Sequence, residues 1–163
     1  MPSILITGAG KGLGNELAKI FSSNGWQLYL VVRTIESAKN ISQEIETAKV
    51  FISDITSEDY ESQLQKWLEG DTIDVVINNA GAGSKEPDIH SATAEQLKTV
   101  FDTNCIGVFS TIKGAYSSLQ KAENGLVINI SSRRGSLSMQ SSGAAKVVVA
   151  LTHTVLVRPP KTY

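Results

Sequence analysis

Apolar residues along the chain alternate between two spacings, and that alternation is the main structural signal. Five short runs rich in β-branched and large aliphatic residues read as strands: 3–7 (SILIT), 27–32 (QLYLVV), 49–53 (KVFIS), 73–78 (IDVVIN) and 126–130 (LVINI). The fourth is almost continuously apolar, as expected of a central strand covered on both faces. Between the runs, apolar positions recur at helical spacing. Leu13, Leu17, Ile20 and Phe21 fall on one face of a first helix, which Gly25 stops. Thr34 can cap a second helix with Ile35, Ala38, Ile41 and Ile45 as its buried stripe. Ser57 starts a third helix carrying Tyr60, Leu64, Trp67 and Leu68 on one side. Thr93-Ala94-Glu95-Gln96 matches a capping box and opens a long helix to about Ala122, with Leu97, Phe101, Val108 and Ile112 as its stripe.

Strands alternating with helices imply right-handed crossovers and an α/β, Rossmann-like, doubly wound parallel sheet. The expected strand order is 3-2-1-4-5 in a three-layer α/β/α arrangement. Ligand is expected at the carboxyl ends of strands 1 and 4, where the winding reverses. Beyond Ser132 the alternation stops. Residues 136–143 are loop-like, and 144–156 read either as one helix or as a helix breaking into a strand. Arg158-Pro159-Pro160 ends regular structure. No sixth strand with its own crossover helix follows, so the sheet is expected to be incomplete on its C-terminal side.

Composition adds mainly exclusions. A chain of 163 residues fits one domain, and 41% hydrophobic with 19% charged residues suits an ordinary folded protein. A formal net charge of −1 gives no reason to expect nucleic acid or an acidic membrane surface as partner. The single cysteine, Cys105, cannot form an internal disulfide, and no Cys/His cluster has metal-ligand spacing. The N-terminus lacks a signal-peptide pattern and no apolar run approaches ~18 residues, so a reducing cytoplasm is the expected compartment.

The chemistry concentrates at strand ends. The first strand breaks into Gly8-Ala9-Gly10-Lys11-Gly12-Leu13-Gly14 and opens directly into a helix. Unpaired N–H groups and the positive end of the helix dipole there favour an anion, and glycines allow its close approach. A pyrophosphate site is one reading; a ligand-free glycine turn is the other. Asp54, Asn78, Asn79, Ser131 and Ser132 follow strands 3, 4 and 5, and in a parallel sheet they open onto the same edge. Such residues also serve ordinary turns. Asn104 falls on the apolar stripe of the long helix, where an amide needs a specific partner. It either satisfies a backbone group, or bends the helix or orders a water beside the cleft. Sites that read an unphosphorylated ribose carry an acid about 20 residues past the glycine loop. Here strand 2 ends in Val31-Val32-Arg33-Thr34, with no acid until Glu36, and Lys11 lies inside the loop. These two cations suggest a 2′-phosphate, hence NADP(H) in preference to NAD(H), or else they are solvated surface charges.

Together these residues resemble the short-chain dehydrogenase/reductase family over residues 3 to about 143. Thr7-Gly8-Ala9-Gly10-Lys11-Gly12-Leu13-Gly14 is similar to the family's TGxxxGxG loop, and Asn78-Asn79-Ala80-Gly81 to its NNAG motif. Asp54, with Ile55 beside it, resembles the aspartate near the adenine ring. Asn104 resembles the active-site asparagine, and Ser132 in Ile128-Asn129-Ile130-Ser131-Ser132 the catalytic serine. Within the family, Ser131 to Ser136 and Ser142-Gly143 most resemble the C-factor-like group, named for a cell-contact signalling protein. The resemblance implies that Gly8, Lys11, Gly12, Leu13, Gly14, Asp54, Ile55, Asn79, Ala80 and Gly81 bind the cofactor beside Arg33. It also implies a small carbonyl or alcohol substrate and assembly as a homodimer or homotetramer.

The sequence departs from the family at Tyr-x-x-x-Lys, whose tyrosine exchanges the proton. No tyrosine lies between Tyr116 and Tyr163. One register places Ser142 in the tyrosine's position and keeps Lys146; the other places Val148 there and leaves no lysine. A serine cannot replace the phenol, because Ser142 has no base nearby, and His90 and His153 are isolated in sequence. Residues 144–163 therefore read as a divergent tail, which an internal deletion, a frameshifted end or an engineered fragment would each explain. Two functions stay open: an NADP(H)-dependent oxidoreductase, and a non-catalytic nucleotide-binding or signalling protein.

Overall fold

A computed structural model describes residues 1–83 and 90–131. The elements run β1 (Ser3–Thr7), α1 (Gly12–Ser23), β2 (Gln27–Val32), α2 (Ile35–Glu44), β3 (Lys49–Ile52), α3 (Tyr60–Trp67) and β4 (Val75–Asn78). Next come α4 (Ala94–Phe101), a π-helical turn (Asp102–Ile106), α5 (Gly107–Gln120) and β5 (Leu126–Asn129). The strands form one parallel sheet in the order β3-β2-β1-β4-β5, as the alternation of strands and helices predicts.

Strand alternation sends successive residues to opposite faces. Leu5, Tyr29, Val31, Val76 and Val127 meet Tyr60, Leu64 and Leu68 of the α3 region and Ala115 and Leu119 of α5. Ile4, Ile6, Leu28, Leu30 and Ile77 meet Ala18 of α1 and Ala38, Ile41 and Ile45 from α2. β1 is buried along its whole length, which explains its unbroken apolar run. Truncating one of these core aliphatics to alanine costs about 2–5 kcal/mol. Among the described residues, no helix is long and apolar enough to cross a membrane and no group of His, Cys, Asp or Glu could hold a metal ion.

Several helical faces differ from the sequence expectation. On α1 the buried residues are Gly14 and Ala18, with Leu17 and Phe21 partly buried, while Leu13 and Ile20 are 55% and 56% exposed. At 100° per residue, positions 14, 18 and 21 share a face, and 13 and 20 form a separate edge. Ile35 is likewise exposed, although Thr34 caps α2 as expected, its hydroxyl accepting from Ser37 N at 3.2 Å. α3 begins at Tyr60 rather than Ser57, because residues 54–57 close a turn of their own, Ser57 N donating to the Asp54 carbonyl at 3.0 Å.

The long fourth helix is interrupted. Its capping box forms as expected: Gln96 N donates to Thr93 Oγ1 at 3.2 Å, and Thr93 N to Gln96 Oε1 at 2.9 Å. The π-turn then breaks the α-helical register, so Leu97 and Phe101 are 46% and 43% exposed instead of forming a buried stripe. The buried face runs through Val100, Gly107, Thr111, Gly114, Ala115, Ser118 and Leu119. Small residues dominate it because α5 lies very close to α3. A Cβ at Gly114 would approach the Glu61 carbonyl oxygen to 2.9 Å.

Candidate active site

The β1–α1 loop is locked to the end of β4 by interactions that leave no room for larger residues. Thr7 Oγ1 accepts from the backbone N–H groups of Asn79 and Ala80, both at 3.1 Å. Asn79 Nδ2 donates to the carbonyls of Thr7 at 3.0 Å and Gly8 at 3.2 Å. A Cβ at Gly8 would lie 2.8 Å from Ala80 Cα, and one at Gly14 would lie 2.4 Å from the Gly8 carbonyl oxygen. A Cβ at Gly10 would strike the Ser37 side chain at 2.7 Å. Sequence motifs contained Thr7 and Gly10 without assigning either a role. The contacts show why a hydroxyl is needed at the one and a hydrogen at the other.

The loop's donors divide between structure and solvent. Gly8 N and Ala9 N both donate to the Val31 carbonyl, at 2.9 and 3.2 Å, and so tie the loop to β2. The N–H groups of the first turn of α1, beginning at Gly12 and Leu13, have no carbonyl one turn earlier to receive them. Lys11, at the N-cap, supplies no side-chain cap. Gly12 has φ of +58° and nothing within 4 Å of where its Cβ would be. Among the described residues, Gly12 is thus the glycine of this loop with open space beside it, where an anion can approach the backbone, while Gly8, Gly10 and Gly14 are tightly packed.

The residues singled out by charge lie in the loop itself and at the ends of β2 and β3. Lys11 and Arg33 are exposed and make no ion pair among the described residues. Arg33 directly precedes the Thr34 cap of α2, the helix that packs on Gly10 through Ser37. Asp54 follows β3, and its Oδ1 accepts from Thr56 N at 3.0 Å and Thr56 Oγ1 at 2.7 Å, which holds the turn carrying buried Ile55. That carboxylate thus shapes its own loop, a role that turn chemistry accounts for.

Asn104 satisfies a backbone group, one of the two roles its position on the apolar stripe suggested. From within the π-turn its Oδ1 accepts from Ala82 N at 2.8 Å, and its Nδ2 donates to the Ala82 carbonyl at 2.9 Å. A Cβ at Gly81 would lie 3.5 Å from the same Oδ1. The π-turn thus presents Asn104 to the loop that continues from Asn79 and Ala80. Asn78 behaves differently from its neighbour. It is 4% exposed, and its Nδ2 donates to Asn129 Oδ1 at 2.8 Å on the neighbouring strand. Lying two residues beyond Val76, it faces the α3/α5 side of the sheet rather than opening onto the edge. Ser131 is exposed at the end of the described β5 segment. Ser132, Ser142, Lys146, Val148 and the 144–163 tail lie outside the described residues.

The structure therefore brings Gly8, Gly14, Asn79, Ala80, Gly81 and Asn104 into one continuous set of contacts, with Gly12 left open beside it. The family model for the short chain dehydrogenases matches residues 2–156. The chain belongs to the short-chain dehydrogenase family. A curated relative, the 3-oxoacyl-(acyl-carrier-protein) reductase of Chlamydia muridarum, is 32% identical over 152 residues, covering 87% of this chain and 61% of the relative. The 3-ketoacyl-(acyl-carrier-protein) reductase of Brucella melitensis, solved with NADH, superposes with a TM-score of 0.73 at 27% identity, over 82% of this chain and 57% of that one. A short-chain dehydrogenase of Streptomyces avermitilis, at 24% identity, shares the fold with a TM-score of 0.75 over 83% of this chain and 51% of that one. The chain spans less than two thirds of the length of each of these proteins. Members of the family bind nicotinamide dinucleotides and act on small molecules, which gives the open backbone at Gly12 a chemical context.

Proposed function

We propose that this chain binds NADP(H) at the β1–α1 loop, with NAD(H) as the weaker alternative. The observation that carries the reading is the opening at Gly12, with Lys11 beside it, Arg33 at the end of β2, and no acid there before Glu36. First-turn N–H groups of Gly12 and Leu13 would hold the pyrophosphate, and the two cations would neutralise a 2′-phosphate. Asp54 and Ile55 would flank the adenine, and Asn79, Ala80 and Gly81 would wall the cofactor from the β4 side. The NADH in the Brucella melitensis relative supports the dinucleotide class.

The inherited chemistry is carbonyl reduction or alcohol oxidation. The nicotinamide, when bound, supplies or accepts the hydride. Ser132 would steady the substrate oxygen, and Asn104 would hold the β4 loop and support a proton-carrying water. Titration with NADPH and NADH, followed by fluorescence, tests the binding. NADPH is expected to bind more tightly than NADH, and no binding of either at millimolar concentration would sink the proposal. Arg33→Asp should weaken NADPH by about ten-fold or more, the scale of one lost charge-assisted contact, while changing NADH little. Equal effects on both count against the 2′-phosphate.

One observation favours a second reading, a nucleotide-binding or signalling protein of C-factor type without turnover. No tyrosine lies between Tyr116 and Tyr163 to move the proton. An unperturbed phenol titrates near ~10 and needs a neighbouring lysine to exchange protons at neutrality, and a serine hydroxyl is far weaker still. Single-turnover oxidation of bound NADPH by a panel of ketones separates the two. A measurable rate supports the oxidoreductase, and binding without any rate supports the second reading.

A further inference from the structure

The seam between α3 and α5 carries polar contacts among its apolar ones: Ser118 Oγ donates to the Leu68 carbonyl at 3.1 Å, Lys113 pairs with Glu61 at 2.9 Å, and Tyr60 meets Thr111. Tyr60 and Thr111 are both 0% exposed. Thr111 Oγ1 donates to the Gly107 carbonyl at 2.7 Å, one helical turn back. A threonine hydroxyl has a single proton, so the 3.0 Å contact with Tyr60 must be donated by the phenol. The order is Tyr60 to Thr111 to the carbonyl of the first residue after the π-turn. On its other side Gly107 meets the loop after β3. A Cβ there would lie 2.7 Å from Ile55 Cδ1 and 3.2 Å from the Ile55 carbonyl oxygen.

A helix that changes from α to π and back must change the partners of its carbonyls, and such turns persist only where surrounding contacts hold them. The Gly107 N–H closes the π-turn on the Asp102 carbonyl, while the Gly107 carbonyl takes the threonine hydroxyl. The same residue thus ends the bulge and anchors the helix that follows. Asn104 lies inside this turn and grips both backbone groups of Ala82.

We propose that Tyr60 and Thr111 are positioning residues for the candidate site, holding the first turn of α5 against Ile55 so that the π-turn presents Asn104 to Ala82. The role in function rests on the cofactor reading; the structural coupling does not. Thr111 connects to Ala82 through Gly107 and the π-turn, while Ala80 of the β4 loop also packs against the core cluster that contains Tyr60, so Thr111 is the cleaner probe of this link. Burial of a hydroxyl pair in this seam is otherwise unfavourable unless both groups are satisfied.

Amide hydrogen exchange of the cofactor-free protein tests this, reading the Ala82 N–H against the β1 amide of Leu5 as an internal reference. Thr111→Val removes both hydrogen bonds at nearly constant shape and should accelerate Ala82 exchange by about ten-fold relative to Leu5. Thr111→Ser keeps the hydroxyl and should restore it. Tyr60→Phe keeps the Thr111 bond to Gly107 and should give a smaller change in the same direction; it is read by the same criterion if Thr111→Val does not fold. Unchanged Ala82 exchange overturns the proposal, and so does equal acceleration at Ala82 and Leu5, which is what a merely structural role would give. The NADPH dissociation constant should follow Ala82, rising in Thr111→Val and recovering in Thr111→Ser. If the unsubstituted protein binds no NADPH, the cofactor reading fails while the exchange result still decides the coupling.

Discussion

An alanine Cβ at Gly14 would lie 2.4 Å from the Gly8 carbonyl oxygen and 2.5 Å from Asn79 Nδ2, whereas one at Gly12 would meet nothing within 4 Å. The two glycines share one motif but are required for different reasons. Gly14→Ala has to push backbone apart, and is expected to lower unfolding stability by about 1–3 kcal/mol in urea titration. Gly12→Ala meets only the strain of φ at +58°, roughly 1–2 kcal/mol, but places a methyl group where an anion would approach. Its effect should appear mainly in NADPH affinity. Asn79→Ala removes the two donations to Thr7 and Gly8 carbonyls, and should cost about 1–3 kcal/mol while loosening the same loop. The motif reveals which residues matter at this scale. It does not distinguish a glycine kept small by a neighbour from one kept open for a ligand, because only interatomic distance separates the two.

At the scale of elements, α5 departs most from expectation. Large apolar residues at helical spacing pointed to Leu97, Phe101, Val108 and Ile112, but α5 buries glycine, alanine, serine and threonine against α3. A pattern search weighted by hydrophobicity favours large side chains, and close helix packing selects small ones. The π-turn falls at Asn104, where a bent helix is one of the sequence readings, but its hydrogen-bond pattern is not marked by any residue type. In an isolated helix Gly→Ala stabilises by about 1 kcal/mol. Here Gly107→Ala is expected to destabilise instead, measured as a lowered Tm, because of Ile55 at 2.7 Å.

The same seam makes a pH prediction. Burial pushes the Tyr60 phenol up to about 12. A folded-state value raised above the unfolded one gives stability that is complete below pH ~10 and lost as pH rises through about 12, with a size of roughly 2–3 kcal/mol. Tyr60→Phe should remove this alkaline step, which is checked by urea unfolding at pH 9 and above.

Across the whole molecule, the sheet order puts the end of β1 between β2 and β4, so the loop from β1 meets both neighbours at once. The Val31 carbonyl near the end of β2 accepts from its first N–H groups, and Asn79 after β4 donates to its carbonyls. A cofactor bound to this loop therefore stabilises the fold as well as the loop. NADPH at 100 times its dissociation constant should add about 2.7 kcal/mol to stability, read as a rise in Tm. At the same NADPH concentration Arg33→Asp, by a weakening of about ten-fold, should remove about half of that rise or more and preserve any rise given by NADH.

The sequence by itself determined the strands and their order, because alternation and glycine placement are local properties with few topological solutions. It also identified the family and the charge pattern at Lys11 and Arg33. Tertiary structure alone decided which glycine is open, that Asn78 pairs inward with Asn129 while Asn79 faces the loop, and that Asn104 reaches Ala82 through a π-turn. These depend on distances between residues far apart in the chain, which close packing sets and local pattern does not record.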